Sequence, residues 1–125
     1  MPLEWERDDD HRYFVARVVG GLTPDDLGRE VPSHRVGPFS AYGLLFDVSE
    51  ATVSFTADQL RQIAARVAAA GRQSPPGPLA IVATNVASFG MARMYEQVMD
   101  GAGIDNIHVF RSLQEARTWL IDHLH

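Results

Sequence analysis

The sequence of 125 residues contains no cysteine and no lysine, and all eleven of its basic residues are arginine. Without cysteine there can be no disulfide bond, no thiolate nucleophile and no cysteine-ligated zinc or iron–sulfur site. Without lysine there can be no Schiff base and no Walker-type phosphate-binding lysine. Composition alone therefore rules out several large classes of catalytic site.

Positive charge and long apolar segments are also scarce. The formal net charge is −5 at pH 7, which predicts no nucleic-acid partner because such binding needs a concentrated basic face. No stretch reaches the ~18 consecutive apolar residues of a membrane-spanning helix. The first seven residues lack the basic and apolar regions of a signal peptide. We therefore expect a cytoplasmic protein with no membrane span.

Hydrophobic residues make up 46% of the sequence, an ordinary share for a soluble globular domain. Residues 3–7 alternate between apolar and charged, residues 12–19 are rich in Tyr, Phe and Val, and together they predict an antiparallel hairpin. The apolar run Leu44-Leu45-Phe46 within residues 42–48, and the continuous apolar run at 79–83, are typical of strands buried on both faces. Residues 107–110 predict a last short strand. The strands of a mainly parallel sheet are therefore predicted from pattern alone.

Helices are predicted between these strands from capping residues and apolar periodicity. A short helix begins after Thr23, and a longer amphipathic helix begins near Thr56. Ser88 is predicted to cap a third helix, and Ser112 begins a fourth through a capping box with Glu115. The apolar face of the third helix is predicted to consist of Met91, Met94, Tyr95, Val98 and Met99.

Alternation of strands and helices defines the fold class as α/β. We predict one domain over residues 1–125, with a mixed, mainly parallel sheet of about five strands, an N-terminal antiparallel hairpin and flanking helices. In such sheets ligands bind where the carboxyl ends of the parallel strands meet the N-termini of the following helices. We therefore expect a functional site at that edge.

The candidate binding residues follow the predicted strands or lie on the helices after them: Asp47, Ser49, Thr56, Asn85, Ser88, Phe89, Arg93, Met94 and Arg111. Asp47 is either a hydrogen-bond acceptor or general base, or a loop carboxylate bonded to backbone amides. The hydroxyl-rich loop that contains Ser49 and Thr56 could accept a phosphate, or it serves capping and turn hydrogen bonds. Arg93 could pair with Asp47 or meet an acidic ligand.

Neither a metal nor a cofactor is predicted. The cluster at residues 8–11, Asp-Asp-Asp-His, could bind a cation but is more typical of a solvated turn. Ser88 lacks the flanking glycines of a nucleophile elbow. No enzymatic activity is predicted, and the remaining enzymatic hypothesis would use Asp47 with His34 or His108.

Several segments resemble those of a known family. Residues 44–49 with residues 58–60 resemble the strand and helix of STAS-type domains. The chain from residue 3 to 121 is similar, in its order of elements, to the SpoIIAA-like family, also described as STAS/SEC14-like. The segments that carry this similarity are residues 80–83, 89–96, 109–116 and 119–120. The resemblance implies a STAS-like α/β fold, and the SpoIIAA-like group has no assigned reaction.

The resemblance also bears on regulation and lipid binding. Anti-sigma-factor antagonists of this fold carry an Asp-Ser-Ser-Gly-like motif where this sequence has Phe55-Thr56-Ala57-Asp58, so the phosphorylation switch does not carry over and Thr56 is the available substitute. SEC14-type relatives bind lipids under covering helices. Here residues 31–41 are short and interrupted by Pro32 and Pro38, which argues against a large lipid cavity.

Two functional hypotheses follow. In the first, the chain is a non-enzymatic STAS-like regulatory or protein-interaction module, a homodimer, that meets a protein partner through the strand-end edge and the helix near Thr56. In the alternative, it binds a small apolar or acidic, lipid-like ligand in a pocket at the same edge, with Arg93 or Arg111 holding a carboxylate or phosphate. The residues expected to line that pocket are Phe89, Met91, Met94, Tyr95 and Phe110.

Overall fold

A five-stranded sheet forms the centre of the computed structural model, which describes residues 3–27, 37–39, 41–52, 55–71 and 77–124. Its strands are, in spatial order, β1 (Leu3–Asp8), β2 (Tyr13–Val18), β4 (Gly43–Asp47), β6 (Leu79–Val82) and β7 (Ile107–Phe110). A separate small ribbon pairs β3 (Gly20–Gly21) with β5 (Ala51–Thr52) in parallel.

Helices connect and cover these strands. Residues 24–27 are helical and are called α1, whose continuation lies outside the described residues. The longer helices are α2 (Ala57–Gly71), α3 (Val86–Gly101) and α4 (Leu113–His123), and Gly37–Phe39 forms a turn of 3-10 helix. β1 is antiparallel to β2, whereas β2, β4, β6 and β7 are mutually parallel. The predicted α/β fold class, with its N-terminal antiparallel hairpin at one edge, is confirmed.

Helices cover both faces of the sheet. α2 and α3 pack on one face, where Leu44, Phe46 and Ile81 belong to the same buried cluster as Leu60 of α2 and Met99 of α3. α4 packs on the other face. There Leu45, Ala80 and Val82 are buried with Ala116 and Leu120 of α4. Since successive strand residues point to opposite faces, burial on both faces explains the continuous apolar runs of the central strands.

The start of α3 differs from the prediction. Asn85, not Ser88, is the N-cap residue, with extended backbone (φ −103°, ψ 158°) and a side chain that accepts the Ser88 N–H at 2.8 Å. Ser88 is therefore inside the first turn and is buried. Asn and Ser cap helices about equally well, so the sequence contains two plausible caps, and the helix begins at the earlier one.

The apolar face of α3 is also one residue narrower than predicted. Met99 is fully buried, and Met91, Tyr95 and Val98 are partly buried against the same cluster. Met94, in contrast, is 39% exposed. At ~100° of rotation per residue, Met94 lies about 200° from the buried Ala92, so it points away from the sheet.

The other predicted helix starts are confirmed. Thr56 and Gln59 form a reciprocal capping box, in which Thr56 N donates to Gln59 Oε1 at 2.9 Å and Gln59 N donates to Thr56 Oγ1 at 3.1 Å. Glu115 N donates to the Ser112 hydroxyl at 3.3 Å at the start of α4. The helices α2, α3 and α4 therefore all begin at the same edge of the sheet.

Candidate functional site

The parallel strands β2, β4, β6 and β7 end at one edge of the sheet, as the sequence predicts. We call this edge, together with residues 19, 47–49, 84–86 and 111–113 that end or follow those strands, the carboxyl edge. The ribbon of β3 and β5 joins the chain segments that leave β2 and β4. The loops of the carboxyl edge are therefore tied to each other by backbone pairing as well as by side chains.

Asp47, Ser49 and Asn85 form a hydrogen-bonded group at this edge. Asp47 Oδ1 accepts the Ser49 N–H at 3.0 Å. Asn85 Nδ2 donates to the Ser49 carbonyl oxygen at 3.1 Å, while Asn85 Oδ1 caps α3. The loop after β4 is thus bound to the start of α3, and the contact of Asp47 is that of a loop carboxylate bonded to a backbone amide.

The Ser49 hydroxyl is the polar atom of this group that lacks a partner. Its Oγ is buried and has no hydrogen bond to any part of the chain that the structure describes. A buried polar group without a hydrogen bond costs about 1–3 kcal/mol. The loop after β4 therefore carries a small energetic penalty at its turn.

Phe89 and Arg111 form a second contact at the carboxyl edge. The Arg111 guanidinium carbon lies 4.3 Å from the centre of the Phe89 ring, within the range of a cation–π interaction. Arg111 follows β7, and Phe89 lies in the first turn of α3. Six of the nine candidate residues, Asp47, Ser49, Asn85, Ser88, Phe89 and Arg111, are therefore brought together at this edge, and Thr56 lies close to it at the start of α2.

Arg93 and Met94 are not at the carboxyl edge, because α3 runs away from it at ~1.5 Å per residue. Arg93 Nη1 pairs with Glu96 Oε1 at 2.6 Å, so the alternative in which Arg93 pairs with Asp47 is wrong. Glu96 Oε2 also lies 3.3 Å from His108 Nδ1. Arg93 thus belongs to a charged group in the middle of α3.

The enzymatic hypothesis finds no assembled site in the described residues. Strand β6 lies between the strand of Asp47 and the strand of His108, and His34 lies outside the described residues. His11 is bonded to Asp8 through both its N–H (3.0 Å) and its Nδ1 (2.9 Å). Over the described ranges, no group of three or more His, Asp or Glu side chains could hold a metal ion.

Exposed apolar side chains are the feature of this edge that sequence reasoning missed. Val86 is 84% exposed, Val19 is 48% exposed and Leu113 is 39% exposed. Val86 and Leu113 are the first residues of α3 and α4, and Val19 follows β2. An apolar residue directly after an N-cap residue is the signal that could have revealed two of them, since the first helical position points outward from the strand end.

A groove lies elsewhere, between α3 and the start of β7. It has a volume of about 190 Å³. Its lining residues are Arg93, Glu96, Gln97, Asp100, Ile104, Asp105, Ile107 and His108. None of the five residues expected to line a pocket is among them. Phe110 in addition packs on the α4 face of the sheet, opposite the face of Phe89, Met91 and Tyr95.

The architecture is a SpoIIAA-like α/β fold. The chain is similar to the crystal structure of an uncharacterized protein from the DUF3478 family with a SpoIIAA-like fold, from Shewanella loihica PV-4. The TM-score is 0.57 with 20% sequence identity, over 94% of this chain and 91% of that chain. The likeness establishes the fold that the sequence segments indicated.

No protein-family model matches the chain. No curated protein matches it either. No helix in the described part of the chain is both long enough and apolar enough to cross a membrane.

Proposed function

We propose that the chain is a non-enzymatic, STAS-like regulatory module that binds a protein partner through its carboxyl edge. The observation that carries this proposal is the position of the exposed apolar side chains. Of the four large apolar side chains that are exposed among the described residues, Val19, Val86 and Leu113 lie at this edge. Apolar side chains at the centre of a surface, with polar groups around them, are typical of protein interfaces.

The polar groups around these side chains support the same function. Arg111 is exposed, and its guanidinium group already lies over the Phe89 ring, which holds in place a residue type that is enriched at interface centres. Thr84 and Asn85 are exposed between β6 and α3. The hydrogen bond from Asn85 to the loop after β4 holds this surface in one conformation. A partner would therefore meet a preformed site, and little binding free energy would be lost in ordering the surface.

Charge substitution at two first helical positions tests the proposal without damaging the fold. Val86→Asp and Leu113→Asp place a carboxylate in the first turn of α3 and α4, where the helix dipole favours it by about 0.3–1 kcal/mol. Both changes should leave thermal stability unchanged or slightly raised. They should abolish partner binding, since each places a charge in the apolar centre of the interface.

The partner can be captured by a photo-crosslinking residue at exposed position Thr84, introduced in cells that make the protein naturally. We expect a covalent adduct with a second protein from the wild-type background and from Met94→Asp, which carries a charge on the outer side of α3. The adduct should be lost in the Val86→Asp/Leu113→Asp background. An adduct that survives this double change, or one that forms equally from position Gln97, contradicts the proposal.

The alternative, a small lipid-like ligand in a pocket at the carboxyl edge, has less support. The side chains expected to line it are divided between the two faces of the sheet. Native mass spectrometry of the gently purified protein separates the two hypotheses. A retained extra mass that Arg111→Ala removes would favour ligand binding, whereas a protein of unmodified mass is expected if the partner is another protein.

A further inference from the structure

One histidine connects helices on the two faces of the sheet across the outer side of β7. His108 Nδ1 lies 3.3 Å from Glu96 Oε2 of α3, which packs on one face. The His108 ring also packs beside Trp119 of α4 on the other face, with 4.9 Å between the ring centres and 71° between the ring planes. We call Glu96, His108 and Trp119 the edge cluster, because together they link α3 to α4 around the edge of the sheet.

The chemical character of this link depends on His108. The Glu96 side chain is 14% exposed and also pairs with Arg93 Nη1 at 2.6 Å, so its carboxylate is held in place. The His108 side chain is 51% exposed, so its ring exchanges protons with solvent. Histidine changes its charge between about pH 5 and 8, whereas a glutamate is already ionised over most of that range. The contact is therefore an ion pair at the acidic end of the range and a hydrogen bond of a neutral ring at the other end.

Negative charge predominates among the groups around His108. Asp100 and Asp105 line the same groove as His108, and two carboxylates of α4 lie three and four residues from Trp119, on its side of the helix. The register neighbour of His108 on β6 is Ala80, which does not titrate. Besides Glu96, the charged and titratable residues that face His108 from the elements around it are Arg93, Asp100, Asp105, Glu115, Asp122 and His123.

We propose that the edge cluster is a pH-sensitive link between α3 and α4. Protonated His108 forms a charge-assisted hydrogen bond with Glu96 and keeps its ring beside Trp119, and such bonds are stronger than those of a neutral ring. This stabilisation is present when His108 carries its proton and is lost as the pH rises through the range in which histidine is deprotonated.

Loss of the link opens α4 locally and leaves the fold intact. Ala116 and Leu120 of α4 stay buried against the sheet, so the helix is still held by its apolar face. Local openings of this kind occur at free energies well below that of global unfolding. Because the ion pair is partly exposed, we expect the local opening equilibrium of α4 to change about two- to fivefold.

Limited proteolysis with trypsin measures the opening of α4. The chain contains no lysine, and α4 contains one arginine, Arg117, so cleavage there reports the opening of this helix. Cleavage after the exposed Arg66 of α2 in the same digest is the internal reference, because the protease activity changes with pH equally for both sites. The ratio of α4 to α2 cleavage should rise about two- to fivefold between pH 6 and pH 8. A ratio that stays constant or falls overturns the proposal.

Two substitutions assign the effect to the edge cluster. His108→Gln keeps a polar side chain that does not titrate, and Glu96→Gln removes the negative charge. Each should abolish the pH dependence and keep the cleavage ratio near the wild-type value at pH 8, in a chain that circular dichroism shows to be folded. His123→Gln is the matched control, since the His123 ring lies 4.2 Å from that of Trp119 but makes no contact with Glu96 in the part of the chain that the structure describes. A dependence that persists in His108→Gln, or one that His123→Gln removes, overturns the assignment to His108.

A double-mutant cycle measures the link between the two side chains directly. Urea unfolding of the wild type, His108→Gln, Glu96→Gln and the double variant gives their coupling. We expect a coupling of about two- to fivefold in the unfolding constant at pH 6 and a smaller one at pH 8. Equal coupling at both pH values overturns the proposal. The edge cluster shares no residue with the carboxyl edge, so each of these results leaves the proposed partner binding to its own test.

Discussion

Asn85 joins two loops of the carboxyl edge with the two ends of one amide. Its Nδ2 donates to the Ser49 carbonyl oxygen at 3.1 Å, and its Oδ1 accepts the Ser88 N–H at 2.8 Å. The same side chain therefore caps α3 and holds the loop that follows β4. An amide does both because it carries a donor and an acceptor, whereas Ser at this position would supply a shorter side chain.

Two substitutions at Asn85 separate these functions. Asn85→Asp keeps the helix cap but loses the donor to Ser49, and should lower the free energy of unfolding by about 0.5–1.5 kcal/mol. Asn85→Ala loses both contacts and should lower it further, by about 0.5–2 kcal/mol for the cap. Urea denaturation of both variants measures the difference. No loss in Asn85→Asp would show that the hydrogen bond to Ser49 contributes nothing to stability, and equal losses in the two variants would show the same of the cap.

Ser49→Ala should be neutral or stabilising. The wild-type hydroxyl is buried without a hydrogen bond within the described residues, and its removal relieves a desolvation cost of about 1–3 kcal/mol, partly offset by lost packing. The unfolding midpoint in urea should therefore stay the same or rise. Thr52, which is exposed in the same loop region, provides Thr52→Ala as a matched control near zero. A clear loss of stability in Ser49→Ala would mean that the hydroxyl has a partner in solution.

Met99 and Met94 on the same helix should respond very differently to truncation. Met99 is fully buried, whereas Met94 is 39% exposed. We expect Met99→Ala to lower the free energy of unfolding by about 2–5 kcal/mol, because it leaves a cavity. Met94→Ala should change it by no more than about 0.5 kcal/mol. Comparable losses at both positions would contradict the orientation of α3.

Tyr42 should titrate above the ordinary range of a tyrosine. Its hydroxyl donates a hydrogen bond to Asp9 at 2.9 Å, and this bond, with the nearby negative charge, raises the pKa of Tyr42 above its ordinary value. Because the folded pKa is raised, this contact stabilises the fold below the unfolded pKa near ~10 and is lost as the pH rises through the higher folded value.

An ultraviolet titration of tyrosinate measures this effect. A tyrosinate step should appear above the ordinary range, and Tyr42→Phe should remove that late step. Asp9→Asn removes the negative charge and should bring the late step closer to the ordinary range. A late step that persists in Tyr42→Phe would contradict its assignment to Tyr42.

Much of the fold could be predicted because strand burial and helix capping are local signals. The apolar run Leu44–Phe46 predicts a strand covered on both faces, and the structure has α2 and α3 on one face and α4 on the other. Thr56 and Ser112 predict helix starts because their side chains satisfy amides only a few residues away. Signals of this kind need no knowledge of distant segments.

The candidate site could be predicted only in outline. The edge follows from the direction of parallel strands, so Asp47, Asn85 and Arg111 were correctly placed together. The partner of Arg93 was not predictable in this way, because Glu96 competes for it from one helical turn away while Asp47 lies beyond the end of the helix. The groove beside β7 also escaped prediction, since it depends on how α3 lies over the sheet edge.

The strand order has a consequence for synthesis of the chain. Because the spatial order β1-β2-β4-β6-β7 repeats the order along the chain, each strand pairs with one that the ribosome has already made, and the sheet can grow outward from its hairpin during translation. The last helix is different. Until α4 has been made, Leu45 and Ala80 on its side of the growing sheet are not covered by a helix. During that interval the nascent protein exposes an apolar surface that chaperones can bind.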